Sequence, residues 1–508
     1  MSGPPVVLPL PTAAGVARRW LRDAGRGVVP AIGIAAFGVI VGLVTAIVLV
    51  ASERPSFLSG PAEKGFPSWM VGPLAHRLPG LPPSLPALQG DFTRALVILG
   101  IAWVVATVCA PRIPAPIVWT AVIAAQVVLL LGPPLSLTDV FNYLHYGRMA
   151  ATYGTNPYAA LPLTVPQDPA FLYSNWHHLT SPYGPLFTLL TEALAPLSLP
   201  AAYWAWKVVL LAASIGTLVL VAIAARRLGR SPQAAIVLVG LNPLVLVYGI
   251  GGDHNDPLML LCGVAAVALA IIGREAMVES ESGAARWRQI VVGDSESTIR
   301  AAAPWWDVGA GAAVVLAAGF KPSAILLAPI VILGCRRRLH ALAGAAGAGV
   351  FVLAVVGLVY GGHLPSSGIQ DGLVNPLSVP NVLAALAGQG AMTAHDRTIA
   401  HVVLALATVG ATAAVLWRRS WLPGAAGFVM LAGVLTLGWT MPWYVWWVLP
   451  FAALARTRVL AVVTVVLTVW LALGAIPQMT NLIHHFGYYP TRSAAGRANH
   501  LYTERYLQ

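Results

Sequence analysis

Charge is scarce in this sequence. Only 9% of its 508 residues are Asp, Glu, Lys or Arg, whereas soluble domains carry about 25%. Apolar residues make up 58% of the chain, and its mean hydropathy is +0.76. These values exclude an ordinary soluble domain and predict an integral membrane protein that contacts the lipid bilayer.

Cysteine and lysine are also scarce. The three cysteines, Cys109, Cys262 and Cys335, lie in or beside apolar runs and form no C-x-x-C pair, so we predict neither a disulfide framework nor a zinc site. Lysine occurs three times against 27 arginines, so each lysine stands out. The net charge of +12 comes from short arginine clusters between apolar runs, not from a solvated basic face, so we expect no nucleic-acid partner.

Apolar runs long enough to cross a bilayer recur along the whole chain. We therefore predict an all-α polytopic membrane protein of about thirteen transmembrane helices, with interfacial helices in its outer loops. The runs 322–335 and 443–456 are short and open to being broken, and 185–200 is doubtful because prolines bound it. The thirteen runs are 30–51, 93–110, 116–133, 202–225, 232–250, 257–273, 304–320, 322–335, 340–361, 398–417, 423–440, 443–456 and 459–477.

The arginine clusters predict the orientation. They fall in alternate loops if the N-terminus is cytoplasmic, as the positive-inside rule requires of a plasma-membrane protein. The first apolar run is too long for a typical signal peptide, so we expect no cleavage there. The predicted parts are a cytoplasmic segment 1–29, a transmembrane domain 30–477 and an outer tail 478–508, with outer loops 52–92, 134–201 and 362–397 and a cytoplasmic loop 274–303.

The stretch LSLTDVFNYLHYGRM, residues 135–149, is unusually polar for this chain. Ser136 or Thr138 is suited to cap a helix whose first turn holds Asp139, where the helix dipole favours a carboxylate. The residues at i+3, i+4 and i+7 from Asp139 share its face: Asn142, Tyr143 and Tyr146. We predict an amphipathic helix at the membrane interface, in which Asp139 is either a capping acid or a functional carboxylate.

Two further polar clusters lie on the predicted outer side. The turn GGDHNDP, residues 251–257, contains two acids, a histidine and an asparagine: Asp253, His254, Asn255 and Asp256. Because a solvated turn needs only Gly, Asn, Asp and Pro, and ionisable groups at membrane depth are usually functional, we interpret it as part of a site. In GFKPS, residues 319–323, Lys321 either snorkels to the interface or binds a phosphate.

Aromatic residues accompany these clusters. NPY (156–158) and SPYGP (181–185) are turns whose tyrosines are able to stack on sugars. MPWYVWW (441–447) has the composition of an interfacial aromatic belt, in which Trp443 and Tyr444 are candidates to line a groove for a lipid or sugar. The adjacent histidines of NWHH (175–178) would diverge, so we predict no metal site there.

A site on the outer face has no access to cytosolic nucleotide sugars, and the chain has no Walker or Rossmann glycine pattern. A sugar donor used there has to be carried across the membrane on a lipid. Such a site needs a base for an acceptor hydroxyl, a cation for a leaving phosphate and a groove for a polyprenyl tail. Asp139, Lys321 and the apolar walls match these three needs.

Asp139 in an outer loop, NPY, SPYGP, HNDPLM (254–259) and KPSAIL (321–326) together resemble the polyprenol-phosphate-mannose-dependent α-1,6-mannosyltransferases of actinobacteria. These enzymes belong to the GT-C class of multispanning glycosyltransferases, and the resemblance runs from about residue 30 to 480. It implies a GT-C-like bundle, no cofactor and no tightly bound metal. It also implies a polyprenyl-phosphate-mannose donor, an acceptor such as a phosphatidylinositol mannoside or lipomannan, and inversion at the anomeric carbon.

The resemblance implies that Asp139 is the general base. Our hypothesis for the mechanism adds that Lys321 offsets charge on the departing phosphate and that His254 contacts that phosphate or shuttles a proton. Arg148 would bind the phosphate or pair with lipid headgroups. The candidates for sugar or acceptor contacts are Tyr143, Tyr146, Tyr183, Asn255, Asp256, Trp443 and Tyr444.

The position of the acid departs from the simplest GT-C pattern, and several alternatives stay open. In the simplest GT-C pattern the acid lies in the first outer loop, but here the loop 52–92 precedes Asp139, so Asp91 and Glu63 are alternatives. We favour Asp139 because Asp91 lacks its aromatic surroundings. A transporter or flippase is the rival class, and a scaffold of an envelope complex is a third. Glucose or arabinose would need the same base and cation as mannose.

Overall fold

The computed structural model describes residues 13–58, 66–78, 80–81, 84–281, 296–366 and 368–507. All regular secondary structure in these ranges is helical. The α-helices, in chain order α1 to α20, are Ala13–Glu53, Ser68–Val71, Leu85–Cys109, Ala115–Leu130, Asp139–Tyr153, Pro185–Leu194, Leu199–Arg227, Pro232–Gly240, Asp256–Glu281, Glu296–Phe320, Ala328–Gly334, Arg338–Val359, Gly368–Gly372, Val379–Leu386, Ala394–Trp417, Leu422–Thr436, Leu449–Leu454, Val459–Ala475, Met479–His485 and Ala494–Leu507. A π-helical segment, Val245–Ile250, and short 3₁₀ turns, including Pro322–Leu327 and Pro442–Trp447, complete the fold.

Membrane-length helices form the body of the molecule. Within the described residues, six are long and apolar enough to cross a bilayer: Gly27–Glu53, Leu85–Arg112, Leu199–Arg227, Asp256–Arg274, Arg338–Val359 and Ala394–Trp417. The pair Val459–Ala475 and Met479–His485, bent by 98°, would make a seventh. Large apolar side chains such as Val350 and Leu358 point outward from these helices, as lipid-facing residues do. The all-α polytopic architecture is confirmed, but the count of thirteen spans is not.

Several predicted spans are interrupted. The run 232–250 breaks at Asn242, whose Oδ1 accepts hydrogen bonds from the backbone N–H groups of Leu244 and Val245 at 3.0 and 3.2 Å. The chain then continues as the π-helical segment. The runs 322–335 and 443–456 both start with a 3₁₀ turn that has a proline at its beginning. Hydropathy does not reveal such breaks, because the broken segments are as apolar as the continuous ones.

Arginines from separate loops lie close together. At one end of the helical bundle, Arg274 donates a hydrogen bond to the carbonyl of Arg419 at 2.8 Å, and Arg456 lies within electrostatic range of Arg230. At the other end, the loop that carries Asp139 meets the GGDHNDP turn. Residues 1–12 of the N-terminal segment and 282–295 of the 274–303 loop lie outside the described residues.

Helix α5 is enclosed by protein. Every residue from Asp139 to Gly147 is buried. Phe141 stacks on Tyr203 of α7 with ring centroids 5.7 Å apart, and Trp69 of α2 packs edge-on against Phe141 at 6.2 Å. An amphipathic helix at an interface would expose its polar face, but the polar face of α5 is buried by protein. This polar face is covered by Trp176, Tyr183 and His254, while α2 and α7 pack against the opposite, apolar face through Phe141.

Candidate active site

Asp139 lies in the first turn of α5, as predicted. Its carboxylate accepts a hydrogen bond from the loop that contains Trp176. The Nε1–H group of Trp176 donates to Asp139 Oδ1 at 3.2 Å. Asn142 holds this loop, since its Oδ1 accepts from the backbone N–H of Asn175 at 3.0 Å and its Nδ2 donates to the carbonyl of Trp176 at 3.4 Å. The Thr138 side chain makes no capping hydrogen bond, so that part of the prediction is wrong.

The burial of Asp139 changes its acidity. The residue is only 7% exposed, and burial raises the pKa of its carboxyl group from 3.8 to about 6. Hydrogen bonds from the side chains of Asn175 and Trp176, and then the charge of Lys321, act in the opposite direction. A carboxylate with a pKa near 6 is ionised at neutral pH and is a stronger base than an ordinary aspartate.

His254 lies beside Asp139. Its Nδ1 is 3.7 Å from Asp139 Oδ2 and 3.3 Å from the hydroxyl of Tyr143, and its ring stacks on Trp443 with centroids 3.4 Å apart. Burial, followed by the charge of Lys321, lowers the pKa of His254 well below its usual value, so the imidazole is neutral at pH 7. Its Nε2 is buried and has no hydrogen-bond partner among the described residues.

Lys321 follows α10 and supplies a cation to the same site. Its Nζ is 2.7 Å from Asp256 Oδ1, and the same oxygen accepts a hydrogen bond from Trp447 Nε1. The ammonium group lies 5.1 Å from the ring centroids of both Tyr444 and Trp447. An ammonium group has three N–H donors, and the Lys321 side chain is 14% exposed. Lys321 can therefore bind a further anion.

The SPYGP loop reaches the site through a close backbone approach. The N–H of Gly184 donates to the carbonyl of the last residue of α10 at 3.1 Å, and a Cβ on Gly184 would lie 2.1 Å from the carbonyl oxygen of Gly319. Tyr183 packs edge-on against Tyr143, with centroids 5.0 Å apart. The hydroxyl of Tyr158, from the NPY motif, donates to the carbonyl of Tyr183 at 3.0 Å. Both motifs thus shape the wall beside Asp139.

Most of the predicted site residues meet at this end of the bundle. Those that the structure brings together are Asp139, Tyr143, Tyr183, His254, Asp256, Lys321, Trp443 and Tyr444. Asn255 is buried in the turn between His254 and Asp256. Tyr146 lies one turn further along α5, where its hydroxyl donates to the carbonyl of Leu179 at 2.6 Å.

Arg148 occupies a different place. Its Nε is 2.7 Å from Asp168 Oδ2, and its Nη1 donates to the carbonyl of Ala195 at 3.1 Å. The guanidinium group thus ties α5 to two parts of the 134–201 loop. Of the alternative acids, Asp91 is exposed and pairs with Arg94 near the start of α3, and Glu63 lies outside the described residues.

Sequence reasoning missed three contributors: Trp176, Trp447 and Lys207. The two tryptophans were grouped with a histidine pair and an aromatic belt, and nothing in their spacing shows which carboxylate each would reach. Lys207 did carry a signal, because it is one of only three lysines and lies inside an apolar run. Among the described residues, no cluster of His, Cys, Asp and Glu is arranged to hold a metal ion.

Known proteins resemble the chain over the region that carries this site. A family model described as alpha-(1->6)-mannopyranosyltransferase, N-terminal domain, matches residues 39–337, more than half of the chain. Two alpha-(1->6)-mannopyranosyltransferases of Mycobacterium tuberculosis are 26% and 28% identical to it over 64% and 65% of the chain. Each of these matches spans 64% of the relative's own length, just under two thirds.

A probable alpha-(1->6)-mannopyranosyltransferase of Mycolicibacterium smegmatis is 31% identical over 29% of this chain and 28% of its own. No solved structure matches the chain. The family match covers α4, α5, the GGDHNDP turn and Lys321, so it includes both the carboxylate and the cation of the site. The chain belongs to the alpha-(1->6)-mannopyranosyltransferase family.

Proposed function

We propose that the protein is a membrane glycosyltransferase of the GT-C class that moves mannose from a polyprenyl-phosphate-mannose donor to the 6-hydroxyl of a lipid-linked mannan. The reaction would take place on the outer face of the plasma membrane. One observation carries this proposal: a buried carboxylate of raised pKa, Asp139, and a partly exposed lysine, Lys321, lie at one end of a helical bundle. The family match and the named relatives support mannose as the sugar.

In the proposed mechanism, Asp139 takes the proton of the acceptor 6-hydroxyl as that oxygen attacks the anomeric carbon. The bond between the anomeric carbon and the phosphate oxygen breaks, and the polyprenyl phosphate leaves with the bonding electrons. Lys321 stabilises the negative charge that develops on this phosphate. Because the attack comes from the face opposite the leaving group, a β-linked donor gives an α-linked product.

The neighbouring side chains complete the proposal. Asp256 and Trp447 fix the direction of Lys321, and the partly exposed rings of Tyr183 and Tyr444 form sugar-facing walls. Neutral His254, which lies beside Asp139, would contact the phosphate or shuttle a proton. The sugar-facing walls are supported by four more buried side chains: Tyr143, Tyr146, Asn255 and Trp443. We assign Arg148, whose charge Asp168 already balances, to holding the loop in place.

A transfer assay tests the proposal. The full chain in lipid vesicles is supplied with labelled polyprenyl-phosphate-mannose and an α-1,6-linked mannoside that carries a lipid tail. We expect an α-1,6-extended product from this donor and none from GDP-mannose. The same donor with glucose or arabinose tests the choice of sugar. Movement of intact donor between the two leaflets without transfer would instead support the flippase alternative.

The pH dependence of transfer follows from the pKa of Asp139. A general base has to be ionised, and Asp139 becomes protonated as the pH falls through about 6. We therefore expect kcat/KM to be flat above that pH and to fall about tenfold per pH unit below it. The measurement is a pH–rate profile of vesicle-bound enzyme. A profile that stays flat well below pH 5 would show that Asp139 is not the base.

Gly184→Ala should reduce transfer through geometry alone. The added methyl group would lie 2.1 Å from the carbonyl oxygen of Gly319, so the loop with Tyr183 has to move away from α10. A displacement of about 1 Å at a site can lower a rate about 10²-fold, and we expect a fall in kcat/KM of that order. Gly100→Ala in α3 is the matched control, because a Cβ there has nothing within 4 Å. Equal activity of the two variants would contradict the assigned role of the loop.

A further inference from the structure

A second lysine–aspartate pair lies deeper in the same end of the bundle. Lys207 of α7 is 3.3 Å from Asp253 Oδ1, and the two side chains are 2% and 1% exposed. The Lys207 ammonium also donates to the carbonyl of Gly132 at 2.6 Å and to the hydroxyl of Tyr203 at 3.3 Å. The three N–H donors of this lysine are therefore all engaged. Unlike Lys321, Lys207 therefore has no free N–H group with which to bind the phosphate of a sugar substrate.

The partner of Lys207 has an unusual backbone. Asp253 has a φ angle of +57°, which places it in the left-handed region that non-glycine residues rarely adopt. The indole Nε1–H of Trp206, the residue before Lys207, donates to the Asp253 carbonyl at 3.1 Å. Adjacent residues of α7 thus hold the side chain and the carbonyl of one turn residue. These two contacts link the turn to α7.

The same turn presents the groups of the candidate active site. His254 follows Asp253 directly and lies against Asp139, and Asp256 holds Lys321. The carbonyl of Gly251 accepts a hydrogen bond from the backbone N–H of Leu135 at 2.7 Å, which ties the turn to the segment that leads into α5. A buried ion pair contributes little net stability, because the desolvation of both charges offsets their attraction. Stability alone therefore explains this pair poorly.

We propose that Lys207 and Asp253 form a positioning pair, which holds the GGDHNDP turn so that His254 and Asp256 face Asp139 and Lys321. This inference rests on the proposed function, since it assigns a role in that reaction. The two residues act through the turn and touch neither donor nor acceptor. The Lys321–Asp256 pair then binds the phosphate, and the enclosed Lys207–Asp253 pair holds the turn that positions it.

The test compares Lys207→Met with the double variant Lys207→Met/Asp253→Asn. The single variant leaves a buried, unpaired carboxylate, so it should unfold at a lower temperature than the parent protein. The double variant has no unpaired charge, and asparagine tolerates the left-handed region, so its thermal stability should recover. We expect its kcat to stay about 10- to 100-fold low because the turn is no longer held, while the KM for the donor changes less than twofold. Amide hydrogen exchange in residues 249–258 should also become faster.

Thr217→Val, at another buried position of α7, is the control and should have normal kcat and exchange. A double variant with recovered stability, normal kcat and unchanged exchange would overturn the inference. So would a double variant that stays unstable, because the pair would then serve folding. If the parent protein transfers no mannose, the proposed function fails, but exchange at the turn still tests whether the pair holds it.

Discussion

Asp139→Asn is expected to lower kcat for mannose transfer about 10³-fold, within the range of general-base contributions. Asparagine has nearly the same shape as aspartate, and its carbonyl oxygen can still accept the Trp176 hydrogen bond that now measures 3.2 Å. The site should therefore keep its geometry, and the KM for the donor should change little. The fall in kcat, measured in vesicles with saturating donor and acceptor, would report the loss of a proton acceptor. The residual activity should no longer fall below pH 6.

The variant Asp256→Asn distinguishes the role of Asp256 from that of Asp139. Asp256 Oδ1 already accepts from Lys321 and Trp447, so this carboxylate is committed to orienting the cation. Its replacement should weaken transfer through Lys321 but leave the acid limb of the pH profile near 6. If Asp139→Asn keeps near-normal turnover while Asp256→Asn abolishes it, the assignment of Asp139 as the base is wrong.

The rare charged residues were the most informative part of the sequence. Because only 9% of residues are charged, the acids and lysine in three outer clusters stood out, and the structure brings these clusters together. The start of α5 at Asp139 was predictable as well, since a carboxylate is favoured in the first turn of a helix. Both signals are local in sequence, which is why they could be seen without coordinates.

The environment of α5 was not predictable in the same way. A helix with one polar face has the same sequence pattern whether that face meets water or a buried polar network. The groups that enclose Asp139 are far away in sequence: Trp176 donates to the carboxylate, and His254 lies beside it. The raised pKa of Asp139, on which the proposed base depends, is a consequence of this tertiary enclosure.

The sequence also did not show which carboxylate pairs with each buried cation. Arg148 was expected near a phosphate, but Asp168, twenty residues later, already balances it. Lys207 lies near the start of the apolar run 202–225, and its partner Asp253 belongs to a turn whose other residues were assigned to the site. Composition shows that a cation in a membrane helix needs a partner. Only the fold shows which carboxylate that is, and therefore which lysine remains available to a ligand.

Lys321→Met is expected to lower kcat/KM for the polyprenyl-phosphate donor about 10²-fold or more, as the loss of a preorganised charge partner does. Methionine keeps most of the apolar stem, which packs beside the rings of Tyr444 and Trp447. The variant also leaves Asp256 as a buried carboxylate with Trp447 as its remaining donor. A fall in activity alone would therefore be ambiguous between a lost phosphate contact and an uncompensated charge.

The double variant Lys321→Met/Asp256→Asn resolves this ambiguity. It removes the uncompensated charge, and the asparagine side-chain oxygen can still accept the hydrogen bond from Trp447. If Lys321 serves only to neutralise Asp256, the double variant should regain the activity of the parent protein. If Lys321 binds the leaving phosphate, thermal stability should return while kcat/KM stays about 10²-fold low, because no cation is left where the negative charge develops. The second outcome is the one we expect, since the Lys321 side chain is 14% exposed and that of its enclosed counterpart Lys207 is 2% exposed.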